Sequence, residues 1–175
     1  MSALVVASSD ALSPRAVEAL GRLWAAAFAD GFTAEDADHA FGGVHALVVE
    51  GDDVLAHASA VPRTLLVAGR PLETAYVEAV ATLPSHQGQG LGRRVMLALQ
   101  AQLPARFELG ALSTGAHGFY ERLGWERWRG PAYVLRDGVA VRTEDEDDGL
   151  MVLRWGIDVD LTSPIACHDR PGDAW

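Results

Sequence analysis

The sequence predicts a mixed α/β fold built round one mostly antiparallel sheet, and three observations predict it. A buried-strand pattern, Tyr76 to Leu83, hands over through a glycine-rich turn, Gln87-Gly88-Gln89-Gly90-Leu91-Gly92-Arg93-Arg94, to a helical pattern at Val95 to Leu103. Two further strand patterns precede it, joined by tight turns into an antiparallel meander. A strand pattern at Phe107–Leu112 follows it, so strand, helix and strand form a parallel crossover. The 175 residues suit one domain spanning 1–175, and 49% hydrophobic residues suffice for a core.

Each element has its own signal. Residues 3–7, Ala-Leu-Val-Val-Ala, read as an opening strand. Ser13-Pro14 is a helix start, with Ser as N-cap and Pro at the first helical position. Val17, Leu20, Trp24 and Phe28 then recur at helical spacing over about 15 residues. Thr33-Ala-Glu-Asp36 is a capping box with Asp in place of Glu, opening a short helix that Gly42-Gly43 ends. Val44–Glu50 and Val54–Val67 are strands about a Gly51-Asp52-Asp53 turn, and Ala68-Gly69-Arg70-Pro71 leads into the strand that carries Glu78. A short helix stopped by Gly124 lies within Ser113–Trp125. Short strands near 125–128, 132–136 and 150–157 close the sheet, with a loop at 137–149.

Composition bounds the chemistry. The net charge of −10 argues against a nucleic-acid partner and suits a cationic small molecule, although a solvated acidic surface has the same charge. No apolar run has membrane-spanning length, and the opening residues lack a basic leader, so neither a span nor a signal peptide is expected. One cysteine, Cys167, excludes an internal disulfide and fits a cytoplasmic setting. The six histidines show no metal-ligand spacing, and no metal is expected.

Gly lacks the Cβ that holds a ligand away from the backbone, and a helix start offers unpaired N–H groups and a positive dipole end. The turn is therefore suited to a phosphate or pyrophosphate. It is not a P-loop, and its glycine order misses the dinucleotide fingerprint by one position. Read alone, it also fits a plain helix N-terminus with permissive glycines. Gln87-x-x-Gly90-x-Gly92 matches Gln/Arg-x-x-Gly-x-Gly/Ala, and Phe119-Tyr120-Glu121-Arg122-Leu123-Gly124-Trp125 resembles a second signature found with it. Together they resemble the GCN5-related N-acetyltransferases. That resemblance implies an α/β (α+β) fold: a mixed, mostly antiparallel central sheet with a parallel splayed pair, flanked by helices. It also implies acetyl-CoA as cosubstrate, held by Gln87, Gly88, Gln89, Gly90, Leu91, Gly92 and Arg93 and by the backbone of Val80 and Ala81.

Tyr120 is the candidate acid for the departing thiolate, a phenol with a pKa near 10 being able to supply the proton if held close; it also reads as an ordinary half-buried helix aromatic. Glu78 is the only charge between Tyr76 and Ser85. A carboxylate in mid-sheet needs a task or a partner, so it is the candidate base, or else a residue on a solvated face. Glu144-Asp145-Glu146-Asp147-Asp148 reads as a solvated loop or as the lip of a pocket for a polycation.

A closer likeness runs over nearly the whole chain. Phe28-Ala29 with Phe32-Thr33, Gly42 to Leu47, Tyr76-Val77-Glu78, Leu109 to Ser113, Asp147-Asp148-Gly149 and Gly172-Asp173-Ala174-Trp175 together resemble the aminoglycoside 2'-N-acetyltransferases. The resemblance implies acetyl transfer to the 2'-amine of an aminoglycoside, usually by a homodimer, with Glu78 as base and Tyr120 as acid. It places Asp36, Ser113, Asp147, Asp173 and Trp175 round the antibiotic. Where the family has an acid just before the Phe-Thr pair, this chain has Gly31, with Asp30 one place earlier as a displaced candidate. Other acceptors of the same chemistry, a kasugamycin-type amino sugar, a polyamine or a peptide N-terminus, stay open, as does a non-catalytic acyl-CoA-binding module.

Overall fold

The computed structural model describes all 175 residues, Met1 to Trp175. It contains two compact units, one of Met1–Val61 with Val77–Gln102 and one of Pro62–Tyr76 with Leu103–Trp175. Two long strands, β3 (Asp53–Val67) and β4 (Arg70–Thr82), belong in part to each.

In the first unit, β1 (Ala3–Ser8) pairs antiparallel with β2 (Val44–Glu50), and β2 pairs antiparallel with β3. Helix α1 (Pro14–Phe28) begins as its sequence predicts: the Ser13 side chain accepts from Ala16 N–H and Pro14 opens the helix. It buries Ala19, Leu20, Leu23 and Trp24 in a cluster that includes Leu47, Val54 and Ala81. Rings of Phe32 and Phe41 pack on Trp24 at 5.2 and 5.9 Å between centroids. Helix α2 (Ala34–His39) carries the full capping box, Thr33 and Asp36 each satisfying the other's backbone N–H. Helix α3 (Leu91–Gln100) buries Val95, Met96 and Leu99 and packs on β2. Gly43 lets β2 pass β3 closely, since a Cβ there would overlap the Ala60 carbonyl.

The second unit holds the remaining strands. β5 (Leu109–Ser113) pairs in parallel with β4 over Thr74–Tyr76, and antiparallel with β9 (Leu150–Arg154). β6 (Glu126–Arg127) continues from β9. On the other side of β3, β10 (Ile165–His168) pairs antiparallel with Leu66 and Val67 and parallel with β7 (Ala132–Arg136), which pairs with β8 (Val139–Arg142). Helix α4 (His117–Glu121) is short. The mixed sheet with a parallel β4–β5 pair and flanking helices is the predicted fold class. Two strands depart from expectation. β8 occupies part of the expected loop at 137–149, and β10, which no sequence pattern announced, adds a second parallel pair. The last predicted strand ends at Arg154 rather than 157, because Gly156 at φ +84° turns the chain. No helix is long and apolar enough to cross a membrane.

A buried polar chain crosses the first unit. The register sets His45 opposite Ser59 and His57 opposite Leu47, so both imidazoles share one face, and both are fully buried. Ser9 Oγ lies 2.8 Å from His45 Nε2, His45 Nδ1 lies 3.0 Å from His57 Nε2, and His57 Nδ1 lies 2.8 Å from the Ala79 carbonyl. A carbonyl only accepts, so His57 carries its proton on Nδ1. His57 Nε2 then accepts from His45 Nδ1–H, and His45 Nε2 accepts from the Ser9 hydroxyl. The Trp24 indole N–H, 3.4 Å from the already protonated His57 nitrogen, has no lone pair to meet there and is a ring contact.

Burial pushes the His45 pKa down to about 4 and the His57 pKa down to about 3, from an ordinary 6.5. Both rings are neutral in the fold, whereas the unfolded chain takes up protons below 6.5. Their contribution to stability is therefore complete above pH 6.5 and is lost as the pH falls towards 3. The urea midpoint is expected to be flat above pH 7 and to decline below 6.5, as the unfolding free energy falls by up to about 1.4 kcal/mol per pH unit for each ring. A midpoint unchanged between pH 7 and pH 5 contradicts the assignment.

Candidate active site

In the first unit the candidate residues lie along the second half of β4 and the turn after it. Ala79 sits at φ +50°, the only left-handed non-glycine residue inside a strand; the others, Ala29, Ala68 and Asp137, lie outside the strands. This conformation interrupts the pleat between Glu78 and Val80 and re-aims the backbone beyond it. Its two flanking carbonyls are held from β3: His57 Nδ1–H donates to Ala79 O, and Ser59 Oγ–H donates to Glu78 O at 3.3 Å. The Glu78 side chain is half-buried.

After β4 the chain makes a single helical turn at Pro84–His86 and enters the glycine-rich stretch. Gly88 and Gly90 stand at φ +76° and +77°, and nothing lies within 4 Å of where their Cβ atoms would be. Any other residue would be strained there and would fill the hollow. Gly90 is the N-cap of α3 and offers no side chain to the first amides of the helix. Gln87 Nε2 reaches back to the Thr82 carbonyl at 3.5 Å, a long bond. Open space, uncapped amides and the positive end of a ten-residue helix fit a pyrophosphate.

In the second unit, Val134, Arg136 and residues 141–146 and 172–175 line a cleft of about 560 Å³. Glu144, Asp145, Glu146 and Asp173 line it together with Arg136 and Arg142. Both arginines are committed to other carboxylates, Arg136 to Asp169 at 3.2 Å and Arg142 to Asp147 through two hydrogen bonds. The four carboxylates outnumber the two arginines, whose hydrogen bonds and ion pairs go to acids that do not line the cleft, and this surplus suits a cationic ligand. Trp175 closes one side, buried, its indole N–H donating to Thr143 Oγ1 at 3.2 Å. Its backbone N–H donates to Asp173 Oδ1 at 3.0 Å, and Arg63 Nη2 holds the Ala174 carbonyl at 2.8 Å. The last four residues are therefore a fixed wall.

The Asp147-Asp148-Gly149 segment is a clip. Asp147 also accepts from Ala132 N–H, and Arg142 holds its carboxyl below the usual range. The Asp148 carbonyl accepts from His117 Nε2. Gly149 passes so close to Ser113 that a Cβ would stand 2.7 Å from its Oγ. The clip brings Glu146 to Ser113, whose hydroxyl donates to Glu146 Oε2 at 2.9 Å. Burial raises the Glu146 pKa most, with Asp173 and Asp145 adding to the rise and the Ser113 bond opposing it.

The expected residues thus take unequal places. Asp173 and Trp175 line the cleft and Ser113 is joined to it through Glu146, whereas Asp147 is spent on Arg142. Asp36 Oδ2 accepts from the Thr33 N–H and hydroxyl, and Asp30 is exposed in the turn at 29–31. Tyr120 on α4 is 7% exposed, with the rings of Phe119 and Trp125 edge-on at 4.9 and 6.1 Å. Burial pushes its phenol up to about 12, so it stays protonated at neutral pH. Sequence reasoning passed over Glu146 as an individual residue, and over His45, His57 and Ser59 beneath β4. The alternation of His45 with Leu47 and of His57 with Ser59 on strands was the available signal.

A family model described as "Acetyltransferase (GNAT) domain" matches residues 10–128, more than half of the chain. An aminoglycoside 2'-N-acetyltransferase from Mycolicibacterium fortuitum is 39% identical over 180 residues, covering 99% of this chain and 92% of that protein. Among solved structures, a GNAT family N-acetyltransferase from Escherichia coli in complex with CoA matches with a TM-score of 0.68 at 16% identity, over 98% of this chain and 93% of that one. A GNAT family acetyltransferase from Brucella melitensis in complex with acetyl-CoA gives 0.65 at 20% identity, over 95% and 96%. A probable N-acyltransferase from Enterococcus faecalis is matched over 73% of this chain but only 33% of its own length, with a TM-score of 0.61 at 18% identity. These structural likenesses carry the fold; the sequence matches carry the family. The chain belongs to the GCN5-related N-acetyltransferases and, within them, to the aminoglycoside 2'-N-acetyltransferase family.

Proposed function

We propose that this protein transfers the acetyl group of acetyl-CoA to the 2'-amine of an aminoglycoside, by direct attack in a ternary complex. The observation that carries the acceptor class is the cleft in the second unit, where Glu144, Asp145, Glu146 and Asp173 outnumber Arg136 and Arg142, both of them paired with acids outside the lining. Several ammonium groups on one sugar scaffold match that surplus, and Trp175 adds an aromatic wall. The full-length relative from Mycolicibacterium fortuitum supports the same class.

The residues present fit acetyl-CoA. The amides of Leu91, Gly92 and Arg93, with the glycine hollow before them, would hold the pyrophosphate. The backbone of Val80 and Ala81 would hold the pantetheine arm. When bound, acetyl-CoA supplies a thioester carbonyl activated for attack. Glu78 takes a proton from the substrate ammonium, through water, because only the neutral amine attacks. Tyr120 supplies a proton to the departing thiolate; burial makes it a weaker acid than a free phenol but keeps it fully protonated until the transition state. Cys167 is buried with its Sγ–H on the Ala174 carbonyl, and burial raises its pKa, which is the setting of an inert thiol rather than an acetyl carrier. The reading includes a homodimer in the cytoplasm, where acetyl-CoA is made, and no nucleic-acid partner.

One observation favours a second acceptor, such as a kasugamycin-type amino sugar. The family resemblance implies an acid where this chain has Gly31, and Asp30, one place earlier, is exposed on the turn.

Thiol release from acetyl-CoA, measured across aminoglycosides with a free 2'-amine and matched compounds with a 2'-hydroxyl, tests the proposal. Turnover only with the 2'-amino compounds is expected; equal turnover with both sets, or none with either, contradicts it. For the acid, Tyr120→Phe is expected to lower kcat about 100-fold and leave the acetyl-CoA KM within about threefold. Unchanged kcat removes Tyr120 from the mechanism.

A further inference from the structure

Ala79 is an alanine in the left-handed region, at φ +50°, in the middle of a β-strand. A non-glycine residue held there is strained and persists only where its surroundings over-determine it. Nothing in the local sequence, Val77-Glu78-Ala79-Val80-Ala81, asks for a turn. What over-determines it comes from β3 and β2: an imidazole N–H 2.8 Å from the Ala79 carbonyl, backed by a second imidazole at 3.0 Å and a hydroxyl at 2.8 Å. The hydroxyl is fixed in turn, since Ser9 Oγ accepts from Gly42 N–H at 2.9 Å and Gly43 N–H at 3.1 Å.

Two fully buried histidines are an expensive means of filling a core whose neighbours are Leu47, Ala56 and Ala58. An apolar pair would pack as well and leave no polar groups to satisfy, but it would offer the Ala79 carbonyl no donor. Every donor in the chain points the same way, from Ser9 through His45 and His57 to β4, so each bond fixes the tautomer of the next ring. The chain ends one residue after Glu78 and one before Val80.

We propose that Ser9, His45 and His57 form a positioning chain whose last N–H fixes the Ala79 carbonyl, and with it the kink in β4 on which binding of the acetyl-CoA arm by Val80 and Ala81 depends. The proposal rests on the acetyl-CoA reading above. None of the three residues touches substrate; they act through Ala79. His57 is the decisive member, because it alone contacts β4.

The two amide replacements of His57 separate positioning from packing. In His57→Asn the amide nitrogen stands near the position of Nδ1 and keeps a donor for Ala79. In His57→Gln the amide stands near Nε2, where its oxygen accepts from His45 Nδ1–H, and it leaves the Ala79 carbonyl unmet. Calorimetric CoA affinity, the thermal midpoint and the Ala79 13C shifts, which report a left-handed residue, are measured for wild type and both variants. His57→Asn is expected to bind CoA within about threefold of wild type and to keep the left-handed shifts. His57→Gln is expected to lose those shifts and to bind at least about tenfold more weakly, at a midpoint no lower than that of His57→Asn.

Equal affinity in His57→Gln and wild type, or equal loss in both variants, overturns the proposal. Wild-type protein that binds no CoA overturns the acetyl-CoA reading, and the proposal with it. Should the core variants not fold, Ser9→Ala at the half-buried outer end is expected to weaken CoA about threefold and to lower Tm, since Gly42 and Gly43 N–H lose their acceptor, and wild-type affinity there counts against the chain.

Discussion

The hydrogen bond from His57 to the Ala79 carbonyl is the constraint on which the first unit turns. A strand that kinks at an alanine cannot be held by its own preferences, so the holding group has to come from a neighbour, buried and oriented. The β2–β3 register supplies it by setting His45 and His57 on one face. Gly43 permits the close passage of β2 over Ala60, and Ser9 terminates the chain from the end of β1. Helix α1 then covers this face with Leu20, Leu23 and Trp24, which keeps the rings neutral. Sheet register, core packing and protonation are one arrangement here, and a change in any of them reaches β4.

The second unit applies a different device to a different end. Five consecutive acids would repel one another as a free loop, and the structure divides their work. Asp147 is tied to Arg142 and to Ala132 N–H, Asp148 contributes its carbonyl to His117, and Gly149 allows the close approach to Ser113. Glu144, Asp145 and Glu146 are left on the cleft wall with Asp173. Asp147, the acid of the run tied into an ion pair, is therefore the one with least to offer a ligand. Burial, with Asp173 and Asp145 adding to it, raises the Glu146 pKa, so its charge is one that a bound cation would relieve.

Much of this was legible in the sequence, and the residues show why the rest was not. Ser13-Pro14, the Thr33–Asp36 box and the glycine turn are local signals, decided by backbone groups within four residues, and each forms as read. Strand β10 was missed because Ile165-Ala166-Cys167-His168 is short and follows Pro164; it exists because Leu66–Val67 on one side and Ala132–Leu135 on the other offer it partners. The role of Asp147 was unreadable for the same reason, since its partner Arg142 could as well have faced solvent. The histidines looked idle because their spacing matches no metal pattern. Their pairing appears only once the β2–β3 register is known.

On the proposed reading, backbone groups at the end of β4 and the start of α3 hold acetyl-CoA. Amide hydrogen exchange with and without CoA tests it most directly. Slowed exchange centred on Val80–Ala81 and on Gln87–Arg93 is the predicted result. CoA binding that leaves those amides unchanged and protects another segment would contradict it.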